Sequence, residues 1–177
     1  MVYRLPDDGD TKQRGVCPAC ATVHYQNPLN VVGTVPIWDQ GNSESDDDAD
    51  CKVLLCKRNI EPRKGKWTLP AGFMELGETS AEGAARETLE EAGAKFEMQE
   101  LFTLINVVRV GQVHFFYRAK LLSTVFDPGH ETMEARLFAE GDIPWDEIAF
   151  KTVAETLKLY FADRKAGRFS FHATDIN

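Results

Sequence analysis

The sequence predicts an α/β domain built around a mixed sheet, and three observations carry that expectation. Runs rich in β-branched residues recur along the chain, as in LNVVGTVPIW and KVLLCK. One helix marks both of its ends, with a capping-box pair before it and a glycine after it. A segment near the C-terminus places apolar residues at helical spacing. Several strands with two interspersed helices make an α/β or α+β sandwich.

Residues 1–28 are polar and punctuated, contain the CPAC stretch and end at Pro28; they are read as an N-terminal segment ahead of a main domain over 29–177. Residues 29–38 and 52–57 read as two strands of a hairpin, joined by the acidic stretch DQGNSESDDDAD. Its five aspartates lack the glycine and terminal glutamate of a helix-flanked calcium loop, so a solvated loop is expected, with a weak cation site as the alternative. The loop GKWTLPAGFMELGE follows, and then the marked helix, with Thr79 and Glu82 as the capping pair and Gly93 as the stop. Ala81, Ala84, Ala85, Thr88 and Ala92 form a stripe of small side chains on it, and Gly83 inside it costs about 1 kcal/mol relative to alanine. Strand-like segments cover 96–110, 112–122 and 135–139. The last helix is expected over 150–165, with Phe150, Val153, Ala154, Leu157, Tyr160 and Phe161 on its apolar face.

Composition narrows the class. With 43 % hydrophobic and 27 % charged residues, the chain is neither disordered throughout nor a disulfide scaffold. No apolar run approaches the ~18 residues of a membrane span, and the N-terminus lacks a signal-peptide stretch, so a soluble cytoplasmic protein without a membrane partner is expected. The net charge of −8 argues against nucleic acid as the main partner. Six of the acids sit in residues 39–50, and the rest of the chain is nearly balanced.

The informative segment is GFMELGETSAEGAARETLEEAGA, residues 72–94. It sets Arg86, Glu87, Glu90 and Glu91 on one helix with Glu78 just ahead. At about 100° per residue, Glu87 and Glu91 lie one above the other and Glu90 is adjacent to both. A solvated face knitted by Glu82, Arg86 and Glu90 is the bland account. Against it, like charges at i, i+4 repel, and a divalent cation would remove that repulsion. Clustered carboxylates are the hard oxygen ligands that Mg²⁺ and Mn²⁺ prefer.

The segment resembles the Nudix box, G-x5-E-x7-R-E-U-x-E-E-x-G-U, with U usually a bulky aliphatic. Gly72, Glu78, Arg86, Glu87, Glu90, Glu91 and Gly93 match, while Thr88 and Ala94 depart at U positions. The resemblance implies an αβα sandwich and hydrolysis of a nucleoside diphosphate linked to another group, by water activated on two or more Mg²⁺ or Mn²⁺ ions. It implies Glu87, Glu90, Glu91 and the carbonyl of Ala71 as metal ligands, with Glu78 and Arg86 as a supporting pair and Glu78 as a further ligand. A carboxylate outside the box is expected as base, with Glu134 favoured over Glu131.

Beyond the box, HYQNPLNVVG, KVLLCKRNIEPRKGKWTLPAGFMELGE and RLFAEGDIPWDEIAF are similar to one Nudix branch. That branch comprises zinc-ribbon ADP-ribose pyrophosphatases and plant chloroplast FAD pyrophosphatases. The SQPWPFP-type motif of NADH pyrophosphatases is absent from the sequence. FAD or a range of ADP-containing dinucleotides is therefore the first expectation and ADP-ribose the second. A triphosphate pool-cleansing enzyme and a non-catalytic nucleotide sensor are the alternatives. Arg58, Trp67, Phe115 and Tyr117 are candidates for the substrate pocket. Alternation puts Phe115 and Tyr117 on one sheet face and His114 and Phe116 on the other, and lone His114 reads as a structural histidine.

Cys17 and Cys20 form half of a four-cysteine zinc ribbon; the similar proteins carry a first CxxC ahead of a segment like YRLPDDGDTKQRGVC, so a half-site without well-ordered zinc is expected. Residues 1–28 are too few to bury a core, yet contain Val2, Tyr3, Leu5, Val16, Val23 and Tyr25, so a homodimer using this segment is expected.

Overall fold

The computed structural model describes residues 1–39 and 51–177. The acidic stretch beyond Asp39, with its alternative cation site, lies outside the described residues. Three short strands open the chain: β1 (Val2–Arg4), β2 (Arg14–Val16) and β3 (Val23–His24), in one small antiparallel sheet. Strands of two or three residues leave no periodicity to read, which is why the sequence showed only punctuation here.

The main sheet is eight-stranded. It runs β10 (Thr132–Ala139), β5 (Cys51–Arg58), β4 (Leu29–Asp39), β9 (Gln112–Leu121), β8 (Phe96–Val107) and β11 (His172–Ile176). Two short strands, β6 (Trp67–Thr68) and β7 (Ala71–Phe73), pair with β5 and β4. The β4/β9 and β8/β11 pairs are parallel and the others antiparallel, so the sheet is mixed, as expected. The expected hairpin forms over only three residue pairs, Ile37 to Asp39 against Val53 to Cys51. Val31 to Gly33 pair instead with β7, and Thr34 N–H donates to Pro70 O at 3.1 Å. Strand β4 therefore changes partners part-way along, and the segment between β6 and β7 bridges the change.

Helix α1 (Ser80–Ala92) covers one face of the sheet, and α2 (Lys151–Lys165) covers the other. The capping box at Thr79 and Glu82 is complete, and Gly93 ends α1 in the left-handed conformation at φ 58°. Gly83 has a reason beyond propensity: a Cβ there would lie 2.9 Å from Val32 Cγ2, so only glycine lets the helix sit this close to β4. Thr88, at a position the pattern gives to an aliphatic, accepts from Thr34 across the gap (2.7 Å) and donates to Ala84 O (2.7 Å). On the other face, Thr103 of β8 and Thr156 of α2 make the matching contact at 3.1 Å. The main core lies beneath α2 and includes Val35, Leu55, Phe102, Phe116, Leu157 and Phe161. Helix α2 also buries Thr152 and Thr156, which its apolar spacing did not announce. No described helix is long and apolar enough to cross a membrane.

Because Thr88 spends its only proton on Ala84 O, Thr34 must be the donor between the two hydroxyls. Thr88→Val therefore strands a buried donor and should cost about 1–3 kcal/mol. Thr34→Val removes only an accepted bond and should cost less, and the Thr34→Val/Thr88→Val pair should recover part of the loss. Urea melts of the four proteins check this as a double-mutant cycle.

Candidate active site

Where β4 exchanges β7 for β5, a cavity of about 760 Å³ opens. Ala71, Arg86, Glu87, Glu90, Glu91 and Arg58 line it, so six of the residues singled out from sequence come together. Glu61, Glu75 and Glu131 add to the wall, which carries six carboxylates against two arginines.

Arg86 organises the acidic side. Its Nε and Nη2 donate to the two oxygens of Glu78 at 3.0 and 2.8 Å. Nη1 donates to Glu87 Oε1 at 2.7 Å and Glu90 Oε2 at 3.3 Å, and Nη2 also donates to Phe73 O at 3.1 Å. All five guanidinium protons are thereby used. Those hydrogen bonds, with one from Glu75 N–H, hold Glu78 down at about 2. Glu78 lies behind the wall as the brace of the loop rather than on it. Gly72 completes the fit, because a Cβ there would fall on the Glu87 carboxylate.

Glu91 differs from its neighbours. It is 6 % exposed, and Oε2 accepts from Ala71 N–H at 3.0 Å. Burial raises its carboxyl to about 8; the Ala71 hydrogen bond and Arg58 oppose that rise, while Glu87 and Glu131 add to it. Burial raises Glu87 as well, against the pull of Arg86. A buried carboxylate facing two more calls for a cation, and hard oxygen donors suit a divalent ion such as Mg²⁺. In this arrangement Arg86 stands between Glu87 and Glu90, and no three acidic, histidine or cysteine groups among the described residues close on a single point. The donor chemistry fits a hard cation; the side chains are set around Arg86.

Four sequence expectations need correction. Trp67 is buried in the core, edge-on to Phe138 at 4.9 Å, because β6 turns it under α2 rather than outward. Phe115 and Tyr117 face α1, where Tyr117 Oη meets Ser80 Oγ at 2.7 Å; the opposite set, His114 and Phe116, lines the cavity. Glu134 pairs across β10 with Lys57 and lies 3.7 Å from Arg136, while Glu131 is the carboxylate on the wall. The cause is that β10 begins at Thr132, three residues before the sequence suggested, so Glu134 is inside the strand and Glu131 just ahead of it. Phe73, Phe150 and Thr152 also line the cavity; none was read as a site residue, since Phe73 and Thr152 stood outside any periodic pattern and the spacing of Phe150 placed it only on the apolar face of the last helix. Arg58 donates to Pro62 O at 2.9 Å and lies 5.2 Å from the centre of the Phe150 ring.

In the small sheet, Cys17 and Cys20 flank a turn closed by Cys17 N–H to Thr22 O and Ala21 N–H to Cys17 O, both 2.9 Å. Cys20 Sγ lies 3.1 Å from Thr22 Oγ1, and hydrogen bonds from Thr22 lower its pKa.

The NUDIX domain model matches residues 32–160, and a model described as Nudix N-terminal, a zinc ribbon, matches residues 1–26. The crystal structure of a NUDIX hydrolase from Nitrosomonas europaea superposes with a TM-score of 0.88 at 49 % identity, covering 99 % of this chain and 93 % of that one. An ADP-ribose pyrophosphatase of Methanocaldococcus jannaschii is 52 % identical over 44 residues, 25 % of this chain and 26 % of that protein. A putative nudix hydrolase 1 of Caenorhabditis elegans is 34 % identical over 86 residues, 48 % of this chain and 22 % of that protein. The chain thus spans about a quarter of the length of these two curated relatives.

The position of Glu91 has a consequence for stability. An acid raised in the folded state contributes fully below its ordinary value of 4.5 and loses that contribution as pH rises through about 8. With a chelator present, Glu91→Gln should melt several degrees above the parent at pH 9 and close to it at pH 4. Calorimetric scans across that range check the sign; a gap independent of pH counts against it.

Proposed function

The chain belongs to the NUDIX domain family, and from that premise we propose that it is a pyrophosphatase. It hydrolyses the diphosphate bond of a nucleoside diphosphate linked to a further group, releasing a nucleoside monophosphate. The observation that carries this reading is Glu91, buried beside Glu87 in a wall of six carboxylates. Such a wall repels an anionic diphosphate unless cations stand between. Glu87, Glu90, Glu91 and the carbonyl of Ala71 would hold Mg²⁺ or Mn²⁺. When bound, the metal supplies a Lewis acid for the phosphate oxygens and a water of lowered pKa.

The chain's own residues do the rest. Arg86 keeps Glu87 and Glu90 at the wall and anchors the loop through Phe73 O and Glu78. Glu131, on the wall with its side chain 44 % exposed, would serve as the base that takes a proton from the attacking water. Arg58 offers a positive charge on the same wall for the substrate phosphates. Phe73, 53 % exposed at the cavity, offers a flat face for the base.

For the substrate, the similarity to the Methanocaldococcus jannaschii ADP-ribose pyrophosphatase supports ADP-ribose, and FAD stays within the same chemical class. Glu91→Gln should lower kcat on ADP-ribose by about two orders of magnitude. In the parent, Mg²⁺ or Mn²⁺ should raise the melting temperature and support release of AMP. A panel of ADP-ribose, FAD, NADH and nucleoside triphosphates tests the class: a preference in kcat/KM for a triphosphate overturns it, and inactivity on all of them returns the sensor reading.

The small N-terminal sheet supports a further reading, that the protein acts as a homodimer. Val2 and Tyr3 of β1, and Leu5 and Tyr25 just beyond the strand ends, are each more than half exposed around a sheet too small for its own core. Light scattering should give twice the chain mass of 19.9 kDa, and a variant with Tyr3→Asp and Tyr25→Asp should shift toward the single mass. An unshifted dimer removes the segment from the interface.

A further inference from the structure

Among the described residues, two buried side-chain atoms have no hydrogen-bond partner in the protein, His114 Nδ1 and Thr152 Oγ1. Both residues belong to the wall of the active-site cavity. They also share a sheet face. His114 pairs with Ile105 and Phe116 with Thr103, so all four point to the α2 side, where Thr103 is bonded to Thr156. Thr152 is one helical turn before Thr156 on the same side of α2.

An orphaned buried polar atom weakens a fold, so two on one cavity wall point to a ligand that satisfies them. Their chemistry limits that ligand. Burial pushes the His114 imidazole down to about 4, so it is neutral at pH 7. Its Nε2 lies 3.0 Å from Gln112 Oε1, which can only accept, so Nε2 carries the proton and Nδ1 presents a lone pair. Nδ1 needs a donor. Thr152 sits in the first turn of α2, where the N-cap residue Phe150 supplies no side-chain cap, so this end of the helix favours an acceptor. Hydroxyl groups donate and accept at one atom. A base is a poorer fit to this part of the wall, since Phe116 is 1 % exposed and Arg58 lies over Phe150. His114 pairs with Val31 and Val31 with Phe73, whose carbonyl Arg86 holds, so two strand spacings, roughly 10 Å, separate the backbone of His114 from that of Phe73.

We propose that His114 and Thr152 form a sugar-hydroxyl subsite that selects substrates carrying a ribose or polyol next to the diphosphate. This rests on the pyrophosphatase reading for its substrate class but not on turnover for its test. Binding is measured by calorimetry with Ca²⁺ as the cation, using ADP-ribose and two analogues, one without the 2′ and 3′ hydroxyls of the terminal ribose and one without those of the adenosine. Thr152→Val should weaken ADP-ribose binding about tenfold. It should leave unchanged the analogue that lacks the recognised hydroxyls, which identifies the ribose concerned. The same substitution removes a buried unpaired hydroxyl, so the free protein should melt about 2–4 °C higher. The ¹⁵N resonance of His114 Nδ1 should shift toward its hydrogen-bonded position with ADP-ribose and stay in place with that analogue.

A lower melting temperature for Thr152→Val makes the hydroxyl structural and overturns the subsite. An unmoved Nδ1 resonance on ADP-ribose binding, or equal losses on all three ligands, also overturns it. Binding with these signatures but no hydrolysis in Mg²⁺ supports the subsite and rejects the pyrophosphatase reading. Hydrolysis without the signatures does the reverse, and failure to bind any of the three overturns the subsite.

Discussion

The five-donor engagement of Arg86 is the constraint on which the rest of the site depends. One guanidinium joins the loop before α1, through Glu78 and Phe73 O, to the carboxylates on the helix, Glu87 and Glu90. A lysine has three donors on a single nitrogen and cannot reproduce that planar fork. Glu78 matters here as the fixed end of the bracket. Gly72 matters because the Glu87 carboxylate occupies the space a side chain would take.

Around this bracket, the sheet supplies the place. Strand β4 pairs with β7 over Val31 to Gly33 and with β5 only from Ile37, and the cavity opens at that exchange. The two helices pack on opposite faces through small and polar contacts, Thr34 with Thr88 and Thr103 with Thr156. Those contacts let α1 come close to the strand and bring the start of α2 to the opposite wall. The acidic wall and the wall with His114 and Thr152 thus come from different faces of the same sheet, meeting where it splits.

The cavity is held in a state that weakens the fold. Glu91 is buried near like charges, and two polar atoms on the other wall go without partners. Each is a local violation of what stabilises a protein, and they cluster at one place. Stability lost in this way is commonly recovered when a cation or ligand binds.

Much of the fold was legible from residues alone. Capping box, glycine stop, the long strands and the apolar face of α2 all follow from local chemistry that acts within a few residues. Arg86, Glu87, Glu90 and Glu91 were legible as well, because one helix turn brings them together without help from elsewhere. Tertiary structure decided the rest. Which face of β9 meets the cavity, and so whether Phe115 and Tyr117 or His114 and Phe116 line it, depends on which helix covers each side of the sheet. Alternation supplies two sets and cannot choose between them. Burial of Trp67, the start of β10 ahead of Glu134, and the pairing of β11 with β8 are long-range outcomes of the same kind. Local sequence determines what a segment can form, while its neighbours, set by contacts far along the chain, determine what it faces.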